Sequence, residues 1–383
     1  MSPQPNTSSG LEPFDVLRNR WYNSLSKNLH LDRSLFQIRY PTNPIIHTSE
    51  DLWDLLDVVP PLSLTFHSLT HSAPRFSAEY ISIITQFQYP EKSLSEIIGA
   101  DNYKKWLLYL GNIHPTPVEA QLPALFRQWS ILTAPSVTSA GVAWLSQTLV
   151  LHRTLHNLET YRGPQAKKID FSPELVQAND IVKHSTGFDF AFEGEDGSDD
   201  VTDTWTGGIN QGLGGLWKAA DANPALSNQF ALAPLHVRIS AKAYAICTAV
   251  PGPWYSSALL NAGYMHPKAL PWPKNPSPTW EDQFGPNGAL RRTIIALVLA
   301  DGITATITSE ATFSKEDQHS IQHNAPNGLW PLYLPDNKDV VSNDVTFNED
   351  DSLIIKTVTQ SETLVLLGNH VMEISQYLGH ATP

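Results

Sequence analysis

Three pairs of histidines have a spacing that could support metal chemistry. Residues four apart lie on the same face of a helix, where two imidazoles can share a zinc ion with a third or fourth ligand. The pairs are His67/His71, His152/His156 and His319/His323. Arg153 follows His152, where a His-Glu-x-x-His protease helix has Glu. Because the chain holds 14 histidines, such pairs also arise by chance, and we assign no metal ligand.

An acidic segment at 189–203 is a second candidate cation site. Its residues 199–203 match the letters of the Asp-Asp-x-x-Asp motif, which binds magnesium diphosphates in terpene synthases. Glycines follow instead of a helical pattern, and the acids are not at the alternate positions of a calcium loop. The sequence therefore predicts a solvated acidic loop, with weak calcium or magnesium binding as the alternative. The acids are Asp189, Glu193, Glu195, Asp196, Asp199, Asp200 and Asp203.

The usual signatures of nucleotide and nucleophile chemistry are not complete in this sequence. The glycine-rich segment 207–215 lacks the Gly-Lys-Ser/Thr ending of a phosphate-binding loop. Cys247 lies in an apolar stretch without a Cys-His signature, and no Gly-x-Ser-x-Gly elbow occurs. We assign no catalytic, cofactor-binding or metal residue and predict no cofactor, although a spatial serine triad stays open.

Composition excludes several classes of protein. The 383 residues carry 25 Lys and Arg against 38 Asp and Glu, a net charge of −13, and 41% are hydrophobic. That content can bury a core, so the chain is not disordered. One Cys excludes an intrachain disulfide scaffold, and an acidic chain does not bind nucleic acid mainly through phosphate contacts. Only 16% of residues are charged, against about 25% on average.

The N-terminus predicts a mobile polar arm at 1–10 and no secretory signal, because it has neither a basic nor an apolar region. The longest apolar run, 294–300, is too short to span a membrane. We therefore expect a soluble protein of the cytoplasm or of a virion, without a membrane partner.

Hydrophobic spacing predicts an α+β fold, with a largely helical N-terminal half and a mixed, strand-containing C-terminal half that has long Pro-rich irregular segments. The predicted boundaries are a helical domain at 11–185, an acidic and glycine-rich loop region at 186–230 and a mixed α/β region at 231–383. Ser93 and Glu96 have the spacing of a helix capping box.

The C-terminal half has the strongest strand patterns. Apolar residues alternate near 237–246, and two further strands are predicted near 353–355 and 363–367. Asp301-Gly302 separates two β-branched runs and predicts a hairpin near 293–308. The Pro-rich stretch 251–286 predicts an extended segment anchored by its aromatic side chains.

In composition and layout the whole chain resembles the coat proteins of small segmented double-stranded RNA viruses of the partitivirus type. The shared features are a polar arm, few charges, many Pro and Trp, and long irregular segments rich in Ser, Thr and Asn. No motif carries the resemblance, so it assigns no residue. It implies a capsid-like, self-assembling homo-oligomer of many copies enclosing RNA, with at most weak RNA contact in the shell interior.

Two other classes of function stay open. One is a soluble metal-dependent hydrolase or diphosphate-acting enzyme or effector, with its site between the helical and strand-rich halves. Its candidate residues are the acidic loop, His184, His236 and the His152/His156 pair. The other is a binding module with an aromatic platform formed by Trp254, Tyr255, Trp272 and Trp280.

Overall fold

The computed structural model describes residues 13–38, 45–60, 74–88, 92–162, 165–193, 215–217, 224–337 and 339–380. Three predicted features lie outside these ranges: the arm 1–10, the His67/His71 pair and the motif at 199–203. Of the glycine-rich segment 207–215, only Gly215 lies within them. The described residues form an α+β fold, with helices mostly in the N-terminal half and the sheet in the C-terminal half. The predicted fold class is confirmed.

The described residues form thirteen α-helices. In chain order they are α1 (Pro13–Asn28), α2 (Ser49–Leu56), α3 (Phe76–Ile84), α4 (Leu94–Ile98), α5 (Ala100–Gly111), α6 (Leu122–Thr133), α7 (Thr138–Glu159), α8 (Leu175–Lys183), α9 (Pro224–Leu232), α10 (Ser257–Met265), α11 (Trp280–Phe284), α12 (Lys315–Asn324) and α13 (Ile374–Tyr377). The predicted capping box is confirmed at the start of α4, where the Ser93 hydroxyl and the Glu96 carboxylate each accept from the other's backbone N–H.

Ten strands lie in the same described ranges. They are β1 (Phe36–Ile38), β2 (Ile45–Ile46), β3 (Phe171–Ser172), β4 (Phe188–Glu193), β5 (Leu235–Thr248), β6 (Val250–Pro251), β7 (Arg292–Thr312), β8 (Val341–Phe347), β9 (Ser352–Thr359) and β10 (Leu364–Glu373). Eight of them form one sheet, whose main path is β1-β10-β7-β5-β4, and every pairing for which the register is known is antiparallel. The strands predicted near 237–246, 353–355 and 363–367 are confirmed as β5, β9 and β10.

The predicted hairpin at Asp301-Gly302 is wrong, because both of its arms belong to the single strand β7. Of the two residues only Gly302 has a positive φ, 63°, whereas the tight turn favoured by Asp-Gly needs positive φ at both positions. The long strand β5 pairs with β7 from Ala296 to Ser309. The two apolar runs therefore satisfy their backbone groups against β5 instead of against each other.

Residues 188–193 differ from the loop predicted for 186–230, because they form β4. Phe188, Phe190 and Phe192 alternate with smaller or acidic residues, and the last two are buried. This alternation of two is the pattern of a strand with one face on the core. The acidic residues of the segment masked that pattern in the sequence.

The chain divides into two compact units, each made of three separate stretches. The first, the sheet unit, comprises Met1–Ala73, Phe171–Val250 and Thr293–Met372; the second, the helical unit, comprises Pro74–Asp170, Pro251–Arg292 and Glu373–Pro383. This division differs from the three consecutive regions predicted from the sequence. Local patterns identify helices and strands, but they do not show which distant segments pack together.

The core of the sheet unit is formed by the inner face of the sheet and by helices that cover it. Trp21 and Phe230 come from α1 and α9, and they join Ile239 of β5 and Ile307 of β7 in one buried cluster. Trp330 is also buried there, with its ring in edge contact with Phe14 and Phe230. Sheet residues that alternate inward are thus matched by apolar helix faces.

Three aromatic side chains lie at the centre of a smaller buried cluster in the helical unit. Trp106 of α5 lies 5.1 Å from Phe126 and 5.5 Å from Trp129, both on α6, between ring centroids. Gly141 of α7 lets that helix approach the Phe126 ring, since a Cβ built on it would lie 2.2 Å from a ring carbon. Helices α5, α6 and α7 therefore pack around two tryptophans and one phenylalanine.

Candidate functional site

The His152/His156 pair lies on α7 as predicted, but each imidazole has its own carboxylate. His152 Nδ1 is 3.2 Å from Glu119 Oε2, and His156 Nδ1 is 3.3 Å from Glu159 Oε2. All four side chains are exposed. Among the described residues, no group of three or more His, Cys, Asp or Glu is placed to hold a metal ion.

The His319/His323 pair lies on the exposed face of α12 in the sheet unit. His184 ends α8, where its Nδ1 is 2.8 Å from the carbonyl oxygen of Asp180. These three imidazoles are therefore surface groups that the fold does not bring together with a further ligand in the described part of the chain.

The described acids of the acidic segment pair with basic groups on the neighbouring strand. His236 Nδ1 lies 2.6 Å from Glu193 Oε1, and Arg238 donates to both carboxylate oxygens of Asp189. The guanidinium of Arg238 lowers the pKa of the Asp189 carboxyl through these hydrogen bonds. Because β4 and β5 are antiparallel neighbours, His236 and the acidic segment come together as cross-strand ion pairs.

Cys247 is buried in β5, and burial raises the pKa of its thiol to about 11. The thiolate is the reactive form of cysteine. At neutral pH this side chain is therefore a protonated apolar group that packs in the fold.

The aromatic residues of the Pro-rich stretch form part of the interior of the helical unit. Trp254 is fully buried, and its indole N–H donates to the carbonyl of Asp170 at 2.8 Å. Trp272 is also buried and donates to the carbonyl of Gly263 at 2.8 Å. The expected anchoring by aromatics is thus made within the helical unit. The longest regular element of this stretch is the nine-residue helix α10.

The platform hypothesis needs exposed rings, and two of its four residues are buried. The other two, Tyr255 and Trp280, are half-buried. Tyr255 packs on Tyr80 at 5.0 Å between centroids, and Trp280 donates to the carbonyl of Tyr264 at 2.9 Å. These aromatic groups do not present a shared open face.

Four exposed apolar residues of the helical unit lie on α5 and α6. Leu107 and Leu108 are 48% and 70% exposed, and Ile131 and Leu132 are 55% and 87% exposed. Leu108 follows the buried Trp106 by two positions, which is a rotation of about 200° around the helix axis. Its side chain therefore points away from the tryptophan core. We call these four residues the aliphatic surface.

Sequence reasoning did not identify the aliphatic surface, although one signal was present. Residues 106–110 are five consecutive apolar residues, Trp-Leu-Leu-Tyr-Leu. A helix with one buried face can bury only some of the residues in such a run against the core. A run that continues around the helix must leave some large apolar side chains in contact with water.

Comparisons with known proteins do not provide a function. No helix within the described ranges is both long enough and apolar enough to cross a bilayer. No protein family, curated protein or solved structure matches the chain.

Proposed function

We propose that the protein is a structural, self-assembling subunit that forms a closed capsid-like shell of many copies around RNA. The observation that carries the proposal is the aliphatic surface of α5 and α6. Water-exposed aliphatic side chains gain free energy when another surface covers them, about 1.5–3 kcal/mol for each one fully buried. We propose that further copies of the same chain provide the covering surface.

The low charge of the chain supports this choice of partner. Charged residues make up 16% of the sequence, and the cores of subunit interfaces are depleted in charge. A second copy has the same low content of charged residues, so contact between copies desolvates fewer ions than contact with a highly charged partner would.

The net negative charge of the chain limits the strength of the proposed RNA contact. With a net charge of −13, a shell of such subunits holds RNA by enclosure more than by phosphate pairing. Weak RNA contact in the interior agrees with this charge. Such a particle belongs in the cytoplasm of the producing cell or in a virion.

Expression of the full chain tests the proposal directly. Negative-stain imaging is expected to show uniform closed particles, and nuclease treatment followed by extraction is expected to recover protected RNA. A monomer or dimer at micromolar concentration contradicts self-assembly. Closed particles without protected RNA would agree with the structural role but contradict the enclosure of RNA.

A further inference from the structure

Two cavities of the helical unit are neighbours with shared lining residues, and we describe them together as one groove. They have volumes of about 560 and 800 Å³, and both are lined by Gln88, Ala269 and Leu270. Binding sites for small molecules commonly have volumes of roughly 300–1,000 Å³. We call this feature the amphipathic groove, because its two ends differ in chemistry.

The smaller cavity is the apolar end of the groove. Val150 and Leu151 of α7 line one side, and Leu259 and Ala262 of α10 line the other. Small alanine side chains leave the space open, and no Phe, Tyr or Trp ring lies among the described lining residues, although the His266 imidazole does. This wall suits a flexible alkyl chain better than a flat ring, which gains most from contact with another ring.

The larger cavity is the cationic end. Lys92, Lys268 and Lys274 line it, in a chain that has only 25 Lys and Arg against 38 acids. None of the three forms an ion pair with a carboxylate of the described ranges, whereas Lys167 and Lys315 pair with Asp170 and Asp351. The three ammonium groups are therefore available to a ligand.

Three carboxylates lie near the cationic end, and two of them, Glu96 and Asp282, are already held by helix-capping hydrogen bonds. Glu281 lines the cavity, with its carboxylate beside Gly285. Glu96 interacts electrostatically with Lys92, but its carboxylate accepts hydrogen bonds from the backbone and hydroxyl of Ser93, each at 2.7 Å. The Asp282 carboxylate likewise accepts from the backbone and hydroxyl of Thr279, at 2.9 and 2.7 Å. Among the residues that line the cavity, three lysines against the one carboxylate of Glu281 leave a positive end, which favours an anion.

We propose that the amphipathic groove binds one molecule of an amphiphilic anion, an alkyl chain that ends in a carboxylate or a phosphate. The chain lies between α7 and α10, and the anionic group lies among the three lysines. This ligand uses both ends of the groove at once. The proposal stands on the groove alone and does not depend on self-assembly.

Calorimetric titration of the full chain with dodecanoate below its micellar concentration tests the site. We expect one molecule bound per chain. Dodecyl phosphate is expected to bind in the same way, because it shares the chain and the negative charge. Dodecyltrimethylammonium, with the same chain and the opposite charge, is expected to bind at least about tenfold more weakly.

Variants at each end separate specific binding from general detergent adsorption. Lys268→Gln with Lys274→Gln removes two charges and is expected to weaken dodecanoate binding about tenfold or more. Ala258→Trp fills the apolar end from an exposed position and is expected to weaken it by a similar factor. Matched controls, Lys104→Gln with Lys105→Gln and Ala124→Trp, lie on exposed positions outside the groove and are expected to leave affinity unchanged.

Several outcomes would overturn the proposal. They are no dodecanoate binding up to about 1 mM, equal affinity for the cationic analogue, or equal losses in groove and control variants. Inorganic phosphate or acetate that binds as tightly as dodecanoate would show that the apolar end is not used. Binding only to phosphatidylglycerol vesicles, without uptake of the single amphiphile, would identify a membrane contact instead of this site.

Discussion

The two units treat their apolar side chains differently. In the sheet unit, β7 has neighbours on both sides, and one buried cluster extends from Phe14 to Leu367. The helical unit has a smaller buried cluster around Trp106, and it exposes seven of the twelve large hydrophobic side chains that are open to water in the described residues. Both units leave apolar side chains in contact with water, but the helical unit, which spans fewer residues, leaves more of them.

The largest expected effect comes from emptying each core separately. Trp330→Ala removes a buried ring from the sheet unit, and Trp106→Ala removes one from the helical unit; each is expected to lower the free energy of unfolding by about 3–5 kcal/mol. Hydrogen exchange by mass spectrometry locates the loss. We expect faster exchange in β5 and β7 for the first variant and in α5–α7 for the second.

One result would contradict the presence of separate cores in the two units. If Trp106→Ala accelerates exchange in β7 as much as in α6, the two units do not have separate cores. Trp106→Phe is the control, because it keeps a ring in the cluster and is expected to show a smaller loss.

A smaller effect is expected at the close approach of α6 and α7. Gly141→Ala adds a methyl group where Phe126 already lies 2.2 Å from the ideal Cβ position, so we expect destabilisation by about 1–3 kcal/mol. Gly111→Ala, at the end of α5, meets nothing within 4 Å and is expected to stabilise by about 0.4–1 kcal/mol. Chemical denaturation measures both. The same sign for the two variants would contradict tight packing at Gly141.

In the sheet unit, stability is expected to depend on pH through His370. Burial lowers the pKa of this imidazole, and the Asp32 carboxylate opposes that shift. The unfolded imidazole gains a proton as pH falls through about 6.5, while the folded one resists. The stabilisation of the folded state by the neutral His370 imidazole is therefore present above that pH and is lost below it.

Denaturation of His370→Gln at pH 7.5 and 5.5 checks this sign. We expect the variant to lose less stability between the two pH values than the original chain does. His323→Gln, on the exposed face of α12, is the matched control and should leave the difference unchanged. An equal pH dependence in the original chain and His370→Gln would show that His370 makes no contribution.

Local patterns predicted the elements better than their assembly. The Ser93/Glu96 capping box and the strand β5 were predicted, because a capping box needs only two residues three apart and a strand alternates every two residues. The continuous strand at Asp301-Gly302 was not predicted, since the choice between a hairpin and a continuous strand depends on pairing with β5, which lies about fifty residues earlier. The division into units depends on such distant pairings throughout.

Sequence reasoning was less informative for candidate sites. The spacing of His152 and His156 correctly placed both on one helix but did not show that Glu119 and Glu159 accompany them. The groove was not predicted because Lys92 lies far in the chain from Lys268 and Lys274. Only tertiary structure brings such residues together.

The smallest expected effect on folding belongs to the aliphatic surface. Leu108→Asp with Leu132→Asp changes two exposed side chains, so we expect each change to alter the free energy of unfolding by no more than about 0.5 kcal/mol. A control with the same added charge is Thr116→Asp with Ser139→Asp, two exposed polar positions of the helical unit.

The most direct test of the account is the mass in solution of these three proteins by light scattering. We predict many-copy particles for the original chain and for the Thr116→Asp, Ser139→Asp control. The Leu108→Asp, Leu132→Asp variant is predicted to be a folded monomer or dimer. A monomeric original chain, or particles that survive the leucine substitutions unchanged, would contradict assembly through the aliphatic surface.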